Sequence, residues 1–229
     1  TPAGRAIDGD YKANPAGGML IFITVERIFG HPLALGLFGG LARLRLFQHR
    51  RGIGALDHAH AVVIGDGGDF VSYAGRYVQS YQPGRWLDPG PYGCLGTGMG
   101  YSAAARIAHP DSQVVLMLGD GAAGFSLMDV ESLVRQELPV VMVVGNNGMW
   151  ALEKYPMQAM YGGWDAAADL QPNLPYHQVV EAMNGAGEVV TKPQDIAQAI
   201  RRGFDAGVPY MVNVMTDPSV AYPRSTALV

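Results

Sequence analysis

Three apolar runs, each stopped by a glycine-rich turn, limit what this chain can fold into. Ala61-Val-Val-Ile64 closes in Gly65-Asp-Gly-Gly68, and Gln113-Val-Val-Leu-Met-Leu118 closes in Gly119-Asp-Gly121. Pro139-Val-Val-Met-Val-Val144 closes in Gly145-Asn-Asn-Gly148. Runs that are apolar on both faces suit buried parallel strands, because half-exposed antiparallel strands alternate instead. Helical patterns lie between them: Gly98–Ala108, then 124–137, where Phe125, Met128, Val130, Leu133, Val134 and Leu138 make one apolar stripe. Downstream, Tyr176–Met183 reads as helix, Glu188–Thr191 as strand, Pro193–Ala206 as helix with proline in its first turn, and Tyr210–Met215 as strand. This alternation predicts an α/β fold: an open, doubly wound, mainly parallel sheet with helices on both faces. Ligands bind such sheets at the carboxyl ends of the strands. The three glycine closures fall at those ends.

Composition narrows the function classes. Glycine is abundant, 31 of 229 residues, as expected where backbone must approach a ligand. Charged residues make up 16%, against roughly 25% in average soluble domains, which implies large surfaces covered by a subunit or a further domain. The formal net charge is −4 with no basic block, so nucleic acid is not an expected partner. The longest charge-free run in the apolar stretch before residue 50, Ile28–Ala42, holds His31 and Pro32 and is short of the ~20 residues that span a bilayer, so no membrane partner is expected. Cys94 stands alone, so neither an internal disulfide nor a thiolate cluster can form; it reads as a small buried hydrophobe in a cytoplasmic protein. Residues 1–55 do not share the rhythm of residues 56–229 and stay unassigned, although Met19–Val25 reads as a strand. Asp57-His-Ala-His60 reads as a polar turn ahead of the first strand, and Gly96-Thr-Gly-Met-Gly100 lacks the preceding strand that a dinucleotide motif needs.

The spacing that points to chemistry is Gly119-Asp120-Gly121, then 24 residues, then Asn146-Asn147. Read physically it is one βαβ crossover, with Asp120 and Asn147 at neighbouring strand tips. The amino end of the returning helix faces the same spot, where free N–H groups favour an anion. Hard oxygen donors beside an anion site suit Mg²⁺, which takes one or two protein oxygens and completes its shell with phosphate and water. The plainer alternative is a pair of ordinary turns, since Gly-Asp-Gly and Asn-Asn-Gly are both good turn sequences.

These residues resemble the diphosphate and Mg²⁺ motif of thiamine diphosphate enzymes. From about Ala59 onward the chain is similar to the C-terminal cofactor domain of the acetolactate synthase (acetohydroxyacid synthase) group, through "GDGGDFVSYAGRY", "GRWLDPGPYGCLGTGMGYSAAARIA", "GDGAAGFSLMDVESLVRQELPVVMVVGNNGMWALEKYPMQAMYG" and "VNVMTDPSVAYPRS". The resemblance implies thiamine diphosphate and Mg²⁺ as cofactors, with Asp120, Asn147 and the main-chain carbonyl of Met149 as metal ligands. Gly119 and Asp120 open the motif, and backbone amides of Gly121 and Ala122 would meet the diphosphate. Gly93 matches the carbonyl that accepts from the pyrimidine amino group, and Leu95 the apolar wedge that bends the cofactor. Trp150, Leu152 and Glu153 fall where a substrate pocket would be shaped. The implied activity is decarboxylation of a 2-oxo acid followed by carboligation, in branched-chain amino acid biosynthesis.

In that family the Glu that activates the pyrimidine ring comes from a separate N-terminal domain, usually of a neighbouring subunit, and a middle domain often holds FAD. The text before Ala59 is too short for both, so FAD is not expected on this chain and no catalytic residue is assigned. Glu26 is the only Glu in the first 55 residues and does not match that role. A homo- or hetero-oligomer, completed by a pyrimidine-binding region, is therefore expected, with the chain inactive alone. Two departures bear on the substrate: Gly68-Asp69 replaces the Gln-His that follows the first strand in acetolactate synthases, and Pro156 replaces a tryptophan. A carboxylate at 69 is costly beside phosphate unless paired or turned away. The alternatives are a 2-hydroxyacyl-CoA lyase or oxalyl-CoA decarboxylase type, or a non-catalytic fragment that packs against a full-length relative.

Overall fold

The computed structural model describes residues 56–222, apart from His58, Ala59 and Gln79. The strand read at Met19–Val25 and Glu26 lie outside the described residues. Among the described residues six strands form one parallel sheet: β1 (Val62–Asp66), β2 (Trp86–Leu87), β3 (Val114–Gly119), β4 (Val141–Asn146), β5 (Ala186–Val190) and β6 (Tyr210–Met215), in the order β2-β1-β3-β4-β6-β5. Seven α-helices connect them: α1 (Gly68–Tyr77), α2 (Gly98–Ala108), α3 (Asp120–Ser126), α4 (Val130–Arg135), α5 (Ala151–Tyr161), α6 (Tyr176–Ala182) and α7 (Pro193–Asp205).

Every residue of β1, β3 and β4 is buried, which is why these strands carry no polar alternation. Their side chains alternate between two cores. Val63, Val115, Met117, Val141 and Val143 meet Phe70, Tyr73 and Ala74 of α1 and Ile196, Ala199 and Ile200 of α7. Val62, Ile64, Leu116, Leu118, Met142 and Val144 meet Met99 of α2, Ala123 of α3, Val130 and Leu133 of α4, and Val180 of α6 on the other face. Each fully buried aliphatic side chain contributes roughly 1.5–3 kcal/mol. The doubly wound sheet is thus held from both sides, as the sequence predicts. Helix α7 shows the cause at its simplest, because Ile196, Ala199, Ile200 and Gly203 fall on one face at helical spacing.

Both edges are protected. Strand β2 is only two residues long, and at the other edge Glu188 of β5 pairs with Arg202 and accepts from the Tyr210 hydroxyl at 2.7 Å.

The single helix expected over 124–137 is a correction. Helix α3 starts at Asp120 itself, a 3₁₀ turn at Leu127–Asp129 interrupts, and α4 follows. The turn rotates the stripe, so Val130 and Leu133 stay buried while Phe125 and Met128 stand 65% and 68% exposed. Helices α1 and α5 and strand β2 were not legible in the sequence. The chain leaves β1 for β2 at one side and returns to β3 at the other. The carboxyl ends of β1 and β3 therefore border the switch-point crevice where such sheets bind ligands.

Candidate functional site

Two Gly-Asp-Gly turns face each other across that crevice. Glycine is required where they meet: a Cβ on Gly67, whose φ is +74°, would overlap Leu95 and come within 3.0 Å of the Ala122 Cβ. A Cβ on Gly119 would sit 3.4 Å from the Gly67 carbonyl oxygen.

Asp120 begins α3 and is 3% exposed. Its Oδ1 accepts from the Gly121 N–H at 2.9 Å, and its Oδ2 accepts from the N–H groups of Asn147 and Gly148 at 3.0 and 2.6 Å. The crossover therefore does what its spacing predicts, joining Asp120 to the segment after β4. Burial pushes the Asp120 carboxyl above the usual range, and the N–H groups of Gly148, Gly121 and Asn147 pull it back. The Asn147 side chain spans two partners: Oδ1 accepts from the Met149 N–H at 3.3 Å, and Nδ2 donates to Asp69 Oδ2 at 3.3 Å. Asp69 is 6% exposed, and its Oδ1 accepts from the Phe70 N–H at 2.8 Å. Burial pushes its carboxyl up to about 7, with the charge of Asp120 adding to the rise. The carboxylate that looked costly in the sequence is thus paired, with an amide and an N–H.

A cavity of about 710 Å³ opens beside these groups, lined by Gly67 and Gly68 and by five of the residues singled out in the sequence: Gly93, Leu95, Trp150, Leu152 and Glu153. Gly93 caps a short 3₁₀ turn at φ +62°, and Leu95 leans inward over Gly67. Cys94, between them, is exposed rather than buried; the loop turns Leu95 to the inside instead. The Trp150 ring lies over Gly121, where a Cβ would come within 2.8 Å of it, and meets Phe125 edge-on at 5.9 Å. The Trp150 N–H donates to the Ala168 carbonyl, and Met149 bridges to Asp169, so the segment after β4 is clasped from outside. Asp169 in turn pairs with Lys154, the ammonium of which lies over the Trp164 ring. Ahead of β1, His60 Nδ1 lies 2.9 Å from Asp57 Oδ2, as a polar turn requires.

Sequence reasoning missed two contributors. Asp66 is fully buried, and its carboxylate accepts from the N–H groups of Gly96 and Gly98 at 3.0 and 2.8 Å, which fixes the loop that presents Leu95. The repetition of Gly-Asp-Gly at the tips of β1 and β3 was its signal. Tyr176 is the other: burial pushes its phenol up to about 12, and the charge of Asp120 adds to that.

Residues 66–214 match the family described as thiamine pyrophosphate enzyme, C-terminal TPP binding domain. The chain belongs to this family. It is 53% identical over 176 residues to the acetolactate synthase large subunit IlvG of Mycobacterium tuberculosis, covering 77% of this chain and 32% of that protein. It is 35% identical over 185 residues to a 2-hydroxyacyl-CoA lyase of Arabidopsis thaliana, covering 79% of this chain and 32% of that one. The thiamine pyrophosphate-binding domain thus spans about a third of the length of the curated relatives it matches. Its fold is similar to that of a Rhodococcus jostii RHA1 thiamine diphosphate-dependent 4-hydroxybenzoylformate decarboxylase, with a TM-score of 0.64 at 23% identity, over 77% of this chain and 36% of the other. Among the described residues, no helix of this domain is long and apolar enough to cross a membrane.

Proposed function

We propose that this chain is the thiamine diphosphate- and Mg²⁺-holding portion of an acetolactate synthase-like enzyme, one that decarboxylates a 2-oxo acid and joins the product to a second carbonyl compound. The observation that carries this reading is the meeting of Asp120 with the Asn147–Met149 segment at the switch point, beside a cavity lined by Gly93 and Leu95. The donor set fits the group: a buried carboxylate and an amide oxygen are hard ligands of the kind Mg²⁺ takes, and the cavity lined by Gly67, Gly68 and Gly93 opens beside them. When bound, thiamine diphosphate supplies the carbon nucleophile and electron sink for the reaction.

The chain's own residues would hold and orient. Asp120, Asn147 Oδ1 and the Met149 carbonyl would take the cation, and Gly119 would let the Asp120 turn pack against Gly67. The N–H groups of Ala122 and of Gly121, which donates to Asp120 Oδ1 in this structure, would meet the diphosphate. The Gly93 carbonyl would receive the pyrimidine amino group, and the Leu95 side chain would keep the two rings bent together. Trp150, Leu152 and Glu153 would wall the space for substrate.

Identity to a 2-hydroxyacyl-CoA lyase supports a second reading, with the same cofactor and another substrate. The higher identity to the acetolactate synthase large subunit favours the first reading. Tyr92 and Met128, both largely exposed, support packing against a further domain or subunit, which would bring the pyrimidine-activating Glu in a homo- or hetero-oligomer. A lone cysteine suits the cytoplasm.

Tryptophan emission tests the reading, because Trp150 lies over Gly121 and lines the cavity. Titrating thiamine diphosphate should quench it saturably only with Mg²⁺ present, and Trp150→Phe should reduce the change, Trp86 being a second indole on the cavity wall. No saturable, Mg²⁺-dependent change would overturn the reading.

A further inference from the structure

Asp69 is a buried acid that the proposed chemistry does not use. It enters the site from α1, two strands away from the β4 tip that carries Asn147, and still reaches that side chain. Among the described residues no salt bridge holds it, and Asp120 and Glu153 add like charge to its surroundings. Its two oxygens have separate partners: Oδ1 the Phe70 N–H, Oδ2 the Asn147 Nδ2.

A primary amide has nearly the same shape with its oxygen and its nitrogen exchanged, so only its partners decide which end faces which way. A carboxylate accepts and cannot donate. We infer that Asp69 is a positioning residue for the cation site: its Oδ2 takes the Nδ2 end of Asn147, and so leaves Oδ1 as the end presented on the Asp120 side. The inference rests on the proposed function, because it gives Asn147 Oδ1 a cation to meet. The Met149 N–H at 3.3 Å from that oxygen is consistent with the same orientation. Groups of this kind, which orient a ligand without touching the metal, typically carry 10–100-fold in metal affinity.

The test uses the full chain, with Mn²⁺ as a paramagnetic stand-in for Mg²⁺ and thiamine diphosphate present, at mildly alkaline pH. Asp69→Ala should weaken Mn²⁺ binding about 10–100-fold. Equal binding by Asp69→Ala and wild type overturns the inference. A second readout needs no cofactor: the Asn147 side-chain amide protons, followed by NMR, should exchange slowly in the wild-type chain. Exchange there as fast as from an open asparagine overturns the inference, even if Asp69→Ala does not fold. A wild-type chain that takes up no Mn²⁺ sinks the proposed function instead, and the amide protons then decide about Asp69 alone.

Discussion

Asp120 and Asp69 are both acids kept from water, and among the described residues both are held by N–H groups rather than by a cation. Burial lifts the Asp69 carboxyl from 3.8 to about 7, so the folded chain binds that proton more tightly than the unfolded chain. Its contribution to stability is therefore complete below about pH 4 and is lost as pH rises through about 7. The cofactor-free chain should melt lower at about pH 8 than at about pH 5, and Asp69→Asn should shrink that drop. An identical drop in both proteins would remove Asp69 as its source. Gly67 gives a second check at this scale. Gly67→Ala forces a side chain into φ +74° and against Leu95 and Ala122, and should cost about 1–3 kcal/mol in urea denaturation; a loss under about 0.5 kcal/mol would mean the turns are not closely apposed. Asp120 and Asn147 were legible because one crossover sets their separation. The Asp69–Asn147 contact was not, because it joins residues 78 apart through two strand pairings.

The elements that sequence reading recovered are those with a pattern longer than their own ends. Strands β1, β3 and β4 are built on apolar runs, β6 on one interrupted by Asn213, and α2 and α7 carry their periodicity from start to finish. The helix read at Tyr176–Met183 ends at Ala182, and the strand read at Glu188–Thr191 is Ala186–Val190. Strand β2 has two residues and no pattern to read. Helix α1 opens on Gly68-Asp69, which reads as a turn, and α5 contains Pro156, which ordinarily stops a helix. The stripe over 124–137 hid the 3₁₀ turn, because apolar spacing alone does not report a change of helical pitch. Met128→Ser should consequently change stability by less than about 0.5 kcal/mol, whereas a buried stripe residue would cost several times that. Asp66 ties one element to another, β1 to the start of α2. Asp66→Ala should cost about 2–4 kcal/mol and speed hydrogen exchange at Gly96 and Gly98. Unchanged exchange there would show that the Leu95 loop is fixed by something else.

At the scale of the whole molecule, a sheet buried on both faces makes a rigid platform, and the order in which its strands are wound puts two acidic turns at one crevice. The doubly wound architecture was legible because its strands lack alternation, which only helices on both faces explain. The surface was less legible: sparse charge implied a covered face, and the exposed Tyr92 and Met128 appeared only once the chain was folded. On the proposed reading, in which the pyrimidine-activating Glu comes from a further domain or subunit, these 229 residues alone, mixed with thiamine diphosphate, Mg²⁺ and pyruvate, should form no acetolactate. Steady formation would show that the activating group lies within them. The most direct measurement is calorimetric titration of thiamine diphosphate with Mg²⁺ into the wild-type chain and into Asp120→Ala. Binding by the first and at least about tenfold weaker binding by the second is the expected result; equal affinity in the two proteins would contradict the assignment of Asp120 to the cofactor.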